Sequence, residues 1–179
     1  MAVEEIVTDF FDRRIGLSRS GNLVIKGGVV QVDAAGENVS LTAATVTVTQ
    51  AAHAERDALM LNRAAGITVT LPAALGTGAK YRFVVGTKLT SNNYKIQVAS
   101  ATDYMRGKAW LLAATNAAFP TANTDTSTTE SDTITLNGGT TGGLLGDVVE
   151  LTDMGAGQWQ VEASLSGSGT AATPFSVAV

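Results

Sequence analysis

From Asn22 onward the chain is written in short alternating phrases punctuated by glycine, and this pattern constrains its fold more than any other feature. Thr45-Val46-Thr47-Val48-Thr49 alternates strictly, and Ile67-Thr68-Val69-Thr70-Leu71 repeats the device. A period of two sends successive side chains to opposite faces of a strand. Phrases this short predict sheets and tight turns instead of long helices. Similar phrases occupy residues 23–26, 29–33, 39–41, 58–61, 81–85, 94–98, 133–136, 148–151 and 159–165. Between them stand turn formers: Gly27, Gly28 and Gly36, then Ala64-Ala65-Gly66, Gly76-Thr77-Gly78, Ser91-Asn92-Asn93 and the glycines from Gly138 to Gly157. Pro72 stops one strand, and residues 58–98 read as an antiparallel meander. Pro174-Phe175 reads as a closing segment that returns to the domain surface. The expected fold class is all-β, an antiparallel β-sandwich or barrel with an extended N-terminal arm carrying a short helix.

The helix is expected over residues 1–16, where Val3, Ile6, Val7, Phe10 and Phe11 follow the i, i+3, i+4, i+7, i+8 spacing of one helix face. Glu4 and Glu5 stand early, Arg13 and Arg14 late, and Gly16 follows as a C-cap. Isolated helices shorter than about 12 to 15 residues are marginal in water, so this apolar face needs a partner. Residues 22–50 contain no aromatic side chain and little bulk. They read as extended edge segments able to pair with a neighbour, or as the start of a β-helix-like arm. The polar stretch 51–57 then sets the boundary, giving an arm over 1–50 and a compact β domain over 51–179. At 179 residues, with 45% hydrophobic and 6% aromatic content, one such domain plus an arm is what the length supports. Residues 121–131 hold only small or polar side chains and read as an exposed tip.

Charge is unevenly placed. Every Lys and Arg lies at or before Lys108, and Asp125, Glu130, Asp132, Asp147, Glu150, Asp153 and Glu162 follow without a basic residue among them. This reads as a basic front and an acidic rear, and the acidic half argues against general nucleic-acid binding. The absence of cysteine removes disulfide and thiolate chemistry. No basic region followed by an apolar run opens the chain, and no segment is continuously apolar for about 18 residues. The expectation is a protein neither exported by a signal peptide nor partnered with a membrane.

A search for chemistry finds little that converges. His53 is the single histidine, so a metal site or a Ser-His-Asp triad would rest on it alone. Gly76-Thr77-Gly78-Ala79-Lys80 lacks the Gly-Lys-Ser/Thr ending of a phosphate loop, and Gly138 to Gly146 contains no lysine. Glu150 and Glu162 could flank a glycosidic bond only if they came from opposite sides of it. Trp110 and Trp159 read as core or interface anchors. Tyr81, Arg82, Lys88, Tyr94 and Lys95 interleave rings with cations as single-strand-binding platforms do, but alternation should send rings and charges to opposite faces. No catalytic residue, metal ligand or cofactor is therefore expected.

Two stretches carry a resemblance. Leu61-Asn62-Arg63-Ala64-Ala65-Gly66-Ile67-Thr68-Val69-Thr70-Leu71-Pro72, continuing through Gly76-Thr77-Gly78-Ala79-Lys80-Tyr81-Arg82-Phe83-Val84-Val85, and the ending Gly167-Ser168-Gly169-Thr170-Ala171-Ala172-Thr173-Pro174-Phe175-Ser176 resemble tailed-bacteriophage virion proteins. The likeness is closest to small head proteins of the decoration, or cement, type. It implies a homotrimer at local threefold positions on the capsid exterior, made in the host cytoplasm, with the major capsid protein as partner and no active site. Residues 1–50 fall outside these phrases. As an expectation of the residues themselves, Ile6, Val7, Phe10, Phe11, Arg13 and Arg14 are candidate capsid or inter-subunit contacts. Thr-Val-Thr-Leu-Pro before a Gly-Thr-Gly turn also occurs in phage tail-fibre modules. The alternative is therefore a receptor- or glycan-binding β module with Trp110 and residues 121–131 at its tip.

Overall fold

The computed structural model describes residues 15–17, 23–25, 37–122, 130–155 and 157–179. The chain divides into two compact units, Met1–Ala35 and Gly36–Val179. In the first, β1 (Ile15–Leu17) pairs antiparallel with β2 (Leu23–Ile25). Gly16 lies in β1 opposite Val24, so it is a strand residue and not the expected helix C-cap. Ile6, Val7, Phe10, Phe11, Arg13 and Arg14, like the phrase at 29–33, lie outside the described residues.

The second unit contains β3 (Asn38–Leu41), β4 (Thr45–Thr47), α1 (Gln50–His53), β5 (Ala58–Leu61), β6 (Ile67–Thr70), β7 (Lys80–Val85) and β8 (Tyr94–Gln97). After these come β9 (Tyr104–Ala113), β10 (Ala117–Ala118), β11 (Thr121–Ala122), β12 (Thr133–Leu136), β13 (Val148–Gly155), β14 (Gln158–Gly167) and β15 (Phe175–Ser176). They form two sheets. The larger runs β10-β9-β14-β13-β7-β5-β3, with β11 also on β9, and the smaller runs β15-β12-β8-β6-β4. The all-β sandwich expected from the periodicity is present. Its sheets, however, are mixed, and the expected antiparallel meander over 58–98 is a parallel coil. β3, β5 and β7 are parallel neighbours in one sheet, and β4, β6 and β8 in the other. The remaining pairings are antiparallel except β9 with β14.

The reason for the coil lies in the connections. A two-residue hairpin returns a strand into its own sheet, but residues 62–66 carry the chain from β5 across to β6 in the facing sheet. Gly66 makes this crossing possible at φ +77°, a conformation that favours glycine, and a Cβ there would stand 2.4 Å from the Asn93 carbonyl oxygen. Arg63 Nη1 donates to the Gly66 carbonyl at 2.8 Å. From β8, the buried Tyr94 hydroxyl lies 2.7 Å from the Thr87 carbonyl, 3.0 Å from that of Arg63 and 3.1 Å from that of Leu61. One side chain thus ties the β5–β6 and β7–β8 crossings together.

The core lies between the sheets. Leu59, Leu61, Tyr81, Phe83, Leu151, Trp159 and Val161 from the larger sheet meet Ile67, Val69, Tyr94, Ile96, Ile134 and Leu136 from the smaller, all buried. Leu41 and Val48 belong to the same core. The compact unit therefore begins at Gly36, and the segment 38–48, expected in the arm, contributes the first turn of the coil. Phe175 is buried and β15 pairs with β12, as expected of a closing segment.

Four aspartates are buried, and each accepts hydrogen bonds from loop or terminal amides. Asp153 accepts from the backbone N–H of Leu75 (3.1 Å), Gly76 (2.7 Å) and Thr77 (3.0 Å) and from the Thr77 hydroxyl (2.7 Å). Burial alone would raise its pKa, but these donors outweigh burial and hold it below the ordinary carboxylate range. Asp147 accepts from Gly143, Leu144 and Ser166 N–H at 2.8, 3.1 and 2.8 Å. There burial dominates the three bonds and pushes the carboxyl up. Asp132 accepts from Ala178 and Val179 N–H and from the Thr133 hydroxyl, and Asp103 from Ala74 N–H.

Candidate interaction surface

Alternation along the strands sets what the outer face of the larger sheet displays, and register aligns those side chains into rows. One row reads Arg82–Glu150–Glu162–Lys108 across β7, β13, β14 and β9. The next, one pleat repeat away, reads Met60–Val84–Val148–Ser164–Trp110 across β5, β7, β13, β14 and β9. On the other side of the charged row stands Lys80–Thr152–Gln160–Arg106. The face is thus amphipathic along the strand direction, charged toward one end and apolar toward the other.

In the charged row Arg82 Nε donates to Glu150 Oε1 at 3.0 Å, and its Nη1 donates to the Asp57 carbonyl. A shallow depression of about 340 Å³ opens above this region, lined by Glu55, Lys80, Arg82, Glu150, Thr152, Gln160 and Glu162 among others. In the apolar row Met60, Val84 and Val148 are half-buried, whereas Trp110 is 57% exposed. Phe119, 61% exposed, packs against Trp110 edge-to-face, with ring centroids 5.0 Å apart at 87°. Leu112, two residues along β9, is also exposed.

A second apolar feature crowns one end of the sandwich. Leu75 is 76% exposed and Met154 57%. The loop that carries Leu75 and the end of β13 that carries Met154 lie side by side, because a Cβ on Gly76 would lie 3.1 Å from Gly155 Cα. Asp153 fixes the backbone of Leu75, and Gly157 N–H donates to the Ala74 carbonyl at 3.1 Å. The result is a knob of two large apolar side chains on backbone held in place by a buried carboxylate.

The residues singled out from sequence fall as follows. Tyr81 and Tyr94 point into the core while Arg82 and Lys95 point out, as alternation requires. Trp159 is a core anchor, but Trp110 is not. His53 closes the short helix α1: its Nδ1 accepts from Thr49 N–H at 3.1 Å, and Thr49 is the N-cap. Glu150 and Glu162 are directly opposite one another on β13 and β14 and share one face. They would meet a ligand side by side and not from either side of a bond. Both glycine-rich stretches do present converging amides, but each is filled from within, by Asp153 at 75–77 and by Asp147 at 143–144. Of residues 121–131, Thr121 and Ala122 form β11 with Ala122 buried, and 123–129 lie outside the described residues.

The basic-front, acidic-rear reading does not survive folding. Asp132, Asp147 and Asp153 are buried, and Glu150 and Glu162 lie between basic strands on a mixed-charge face. Glu130 is bridged to Arg106 at 3.3 Å. Strand order interleaves what chain order separated. The knob escaped notice because its only linear signal is a large apolar residue beside a turn glycine, as in Leu75-Gly76 and Met154-Gly155.

Two packed sheets whose inner faces share one core define an all-β sandwich of the immunoglobulin-like class. The chain belongs to the family described as a domain of unknown function (DUF4469) with IG-like fold, whose model matches residues 2–101. That match takes in β1 to β8, and so all of the parallel coil, and stops in the connection before β9. Parallel pairs depart from the antiparallel sheets of immunoglobulin domains, so the likeness is one of sandwich architecture. Searches of curated proteins and of solved structures return no match.

Proposed function

We propose that this chain is a structural virion protein of the head-decoration type. In this reading it binds the outer surface of a tailed-phage capsid as a homotrimer at local threefold positions and cements neighbouring major-capsid subunits. It needs no cofactor, nucleic acid or membrane, and it is made in the host cytoplasm. The observation that carries the reading is the rigid apolar knob of Leu75 and Met154. Burying such a side chain contributes about 1.5–3 kcal/mol. Because the backbone beneath is already fixed by Asp153, little loop-ordering entropy is lost on docking. Three knobs on one trimer would act through effective concentration, so weak individual contacts suffice. The resemblance of the phrases at 61–72, 76–85 and 167–176 to decoration proteins suggests the partner.

The test is quantification in purified virions, followed by add-back of a Leu75→Ser/Met154→Ser variant to particles stripped of the protein. The reading expects a copy number comparable to that of the major capsid protein, and weak re-occupancy by the variant. A copy number typical of a tail component, or full occupancy by the folded double variant, overturns it.

A further inference from the structure

The apolar row on the outer face of the larger sheet has an unusual shape. From Met60 to Trp110 it crosses five strands, about 19 Å at a strand spacing of about 4.8 Å. It is one residue wide on β5, β7, β13 and β14, and on β9 it widens to take in the exposed Leu112. The charged row runs beside it, two residues away along each strand, or about 6.7 Å. At the β9 end the row finishes in two perpendicular exposed rings, Trp110 and Phe119, which make a corner.

We propose that this strip is a binding site for a linear neutral polysaccharide. Such a chain is itself an amphipathic ribbon: its C–H faces pack on apolar surface and aromatic rings, and its hydroxyls seek hydrogen-bond partners along the edge. The strip supplies both in parallel tracks. Trp110 and Phe119 receive one sugar ring in their corner. Val148, Val84 and Met60 continue the apolar floor, and Ser164 interrupts it with a hydroxyl. Glu162, Lys108, Gln160 and Lys80 present acceptors and donors along the rail and in the depression beside it. The rail holds two cations and two anions, a balance that suits an uncharged ligand; an anionic polymer would meet Glu150 and Glu162.

A protein partner fits the strip less well. A standard interface engages about 20–30 residues a side around an apolar centre ringed by polar groups. Here the freely exposed apolar groups of the strip are Trp110, Phe119 and Leu112, gathered at its β9 end, and Met60, Val84 and Val148 are half-buried. This inference is independent of capsid docking, which uses the knob at the end of the sandwich.

Affinity electrophoresis of the full chain through gels containing dextran, mannan or galactan tests the proposal. At least one polymer should retard the wild type. Trp110→Ala and Phe119→Ala should each weaken that retardation at least tenfold in apparent Kd, Glu162→Gln should weaken it severalfold, and Leu75→Ser should leave it unchanged. Both ring positions are exposed, and thermal melts will show that the variants fold. Absence of retardation by all three polymers overturns the proposal. So does a Trp110→Ala variant that keeps its retardation but loses oligomeric mass or capsid occupancy, which would make the strip a protein contact.

Discussion

Asp153→Ala removes the acceptor of three backbone amides and one hydroxyl at once, and the loop 74–79 should loosen with it. A hydrogen bond to a charged group contributes about 1.5–3 kcal/mol, but the four are not additive, and water can reach donors at the rim of a half-exposed loop. Counting two bonds as irreplaceable gives a loss of about 3–6 kcal/mol, which at about 2–4 °C per kcal/mol lowers Tm by roughly 6–24 °C. The sign of the pH dependence follows from the depressed pKa. Because the folded carboxyl holds its proton less tightly than the unfolded one, Asp153 contributes its full stability above the unfolded pKa of about 3.9. That contribution is lost as pH falls through the lower folded value. Urea unfolding of wild type and variant at pH 7 and at several acid values measures this directly. The gap between the two proteins should narrow below about pH 4. A gap under about 1 kcal/mol at pH 7, or one that is constant down to pH 2.5, would refute the assignment of Asp153 as the clasp of this loop.

Asp147 should show the opposite sign, because burial raises its folded pKa. Relative to Asp147→Asn, wild-type stability should grow as pH falls from the folded toward the unfolded pKa, as denaturation at stepped pH will show. Tyr94→Phe and Tyr81→Phe form a matched pair. The first removes the hydroxyl that joins two crossings and should cost about 1–2 kcal/mol, whereas the buried Tyr81 hydroxyl has no hydrogen-bond partner among the described residues, and its removal should leave stability unchanged or raise it by about 1 kcal/mol. Gly66→Ala forces a Cβ to 2.4 Å from the Asn93 oxygen at positive φ and should cost about 3 kcal/mol or more in urea unfolding, through overpacking added to left-handed strain.

Much of the strand content was legible from period and punctuation: the phrases at 58–61 and 133–136 coincide with β5 and β12. What failed was pairing. Alternation says which side chains share a face but not which strand lies alongside, and Ala64-Ala65-Gly66 looks like a hairpin turn until Tyr94, far along the chain, is seen to hold the crossing open. β9 was missed because Ala109-Trp110-Leu111-Leu112-Ala113 puts apolar residues on both faces and hides its period. The irregularity reflects the exposure of Trp110 and Leu112 on the outer face. Asp132, Asp147 and Asp153 were counted into the acidic rear because no linear pattern distinguishes a surface aspartate from one that collects amides across 19 to 78 positions of chain.

The parallel coil has a consequence for how chains of this kind can change length. Within the coil, strand pairing runs from each turn to the next, β3 on β5 on β7 and β4 on β6 on β8, and the last turn pairs with β13 and β12. Stability in such a stack is close to a sum over adjacent turns. Among the described residues, β3 and β4 are the edge strands of their two sheets. A whole turn can therefore be gained or lost there without shifting the register of β7, β13, β14 and β9, on which the patterned face is built. Stack height and the patterned face are separable quantities in this architecture, the first set by the number of turns and the second by the strands β7, β13, β14 and β9.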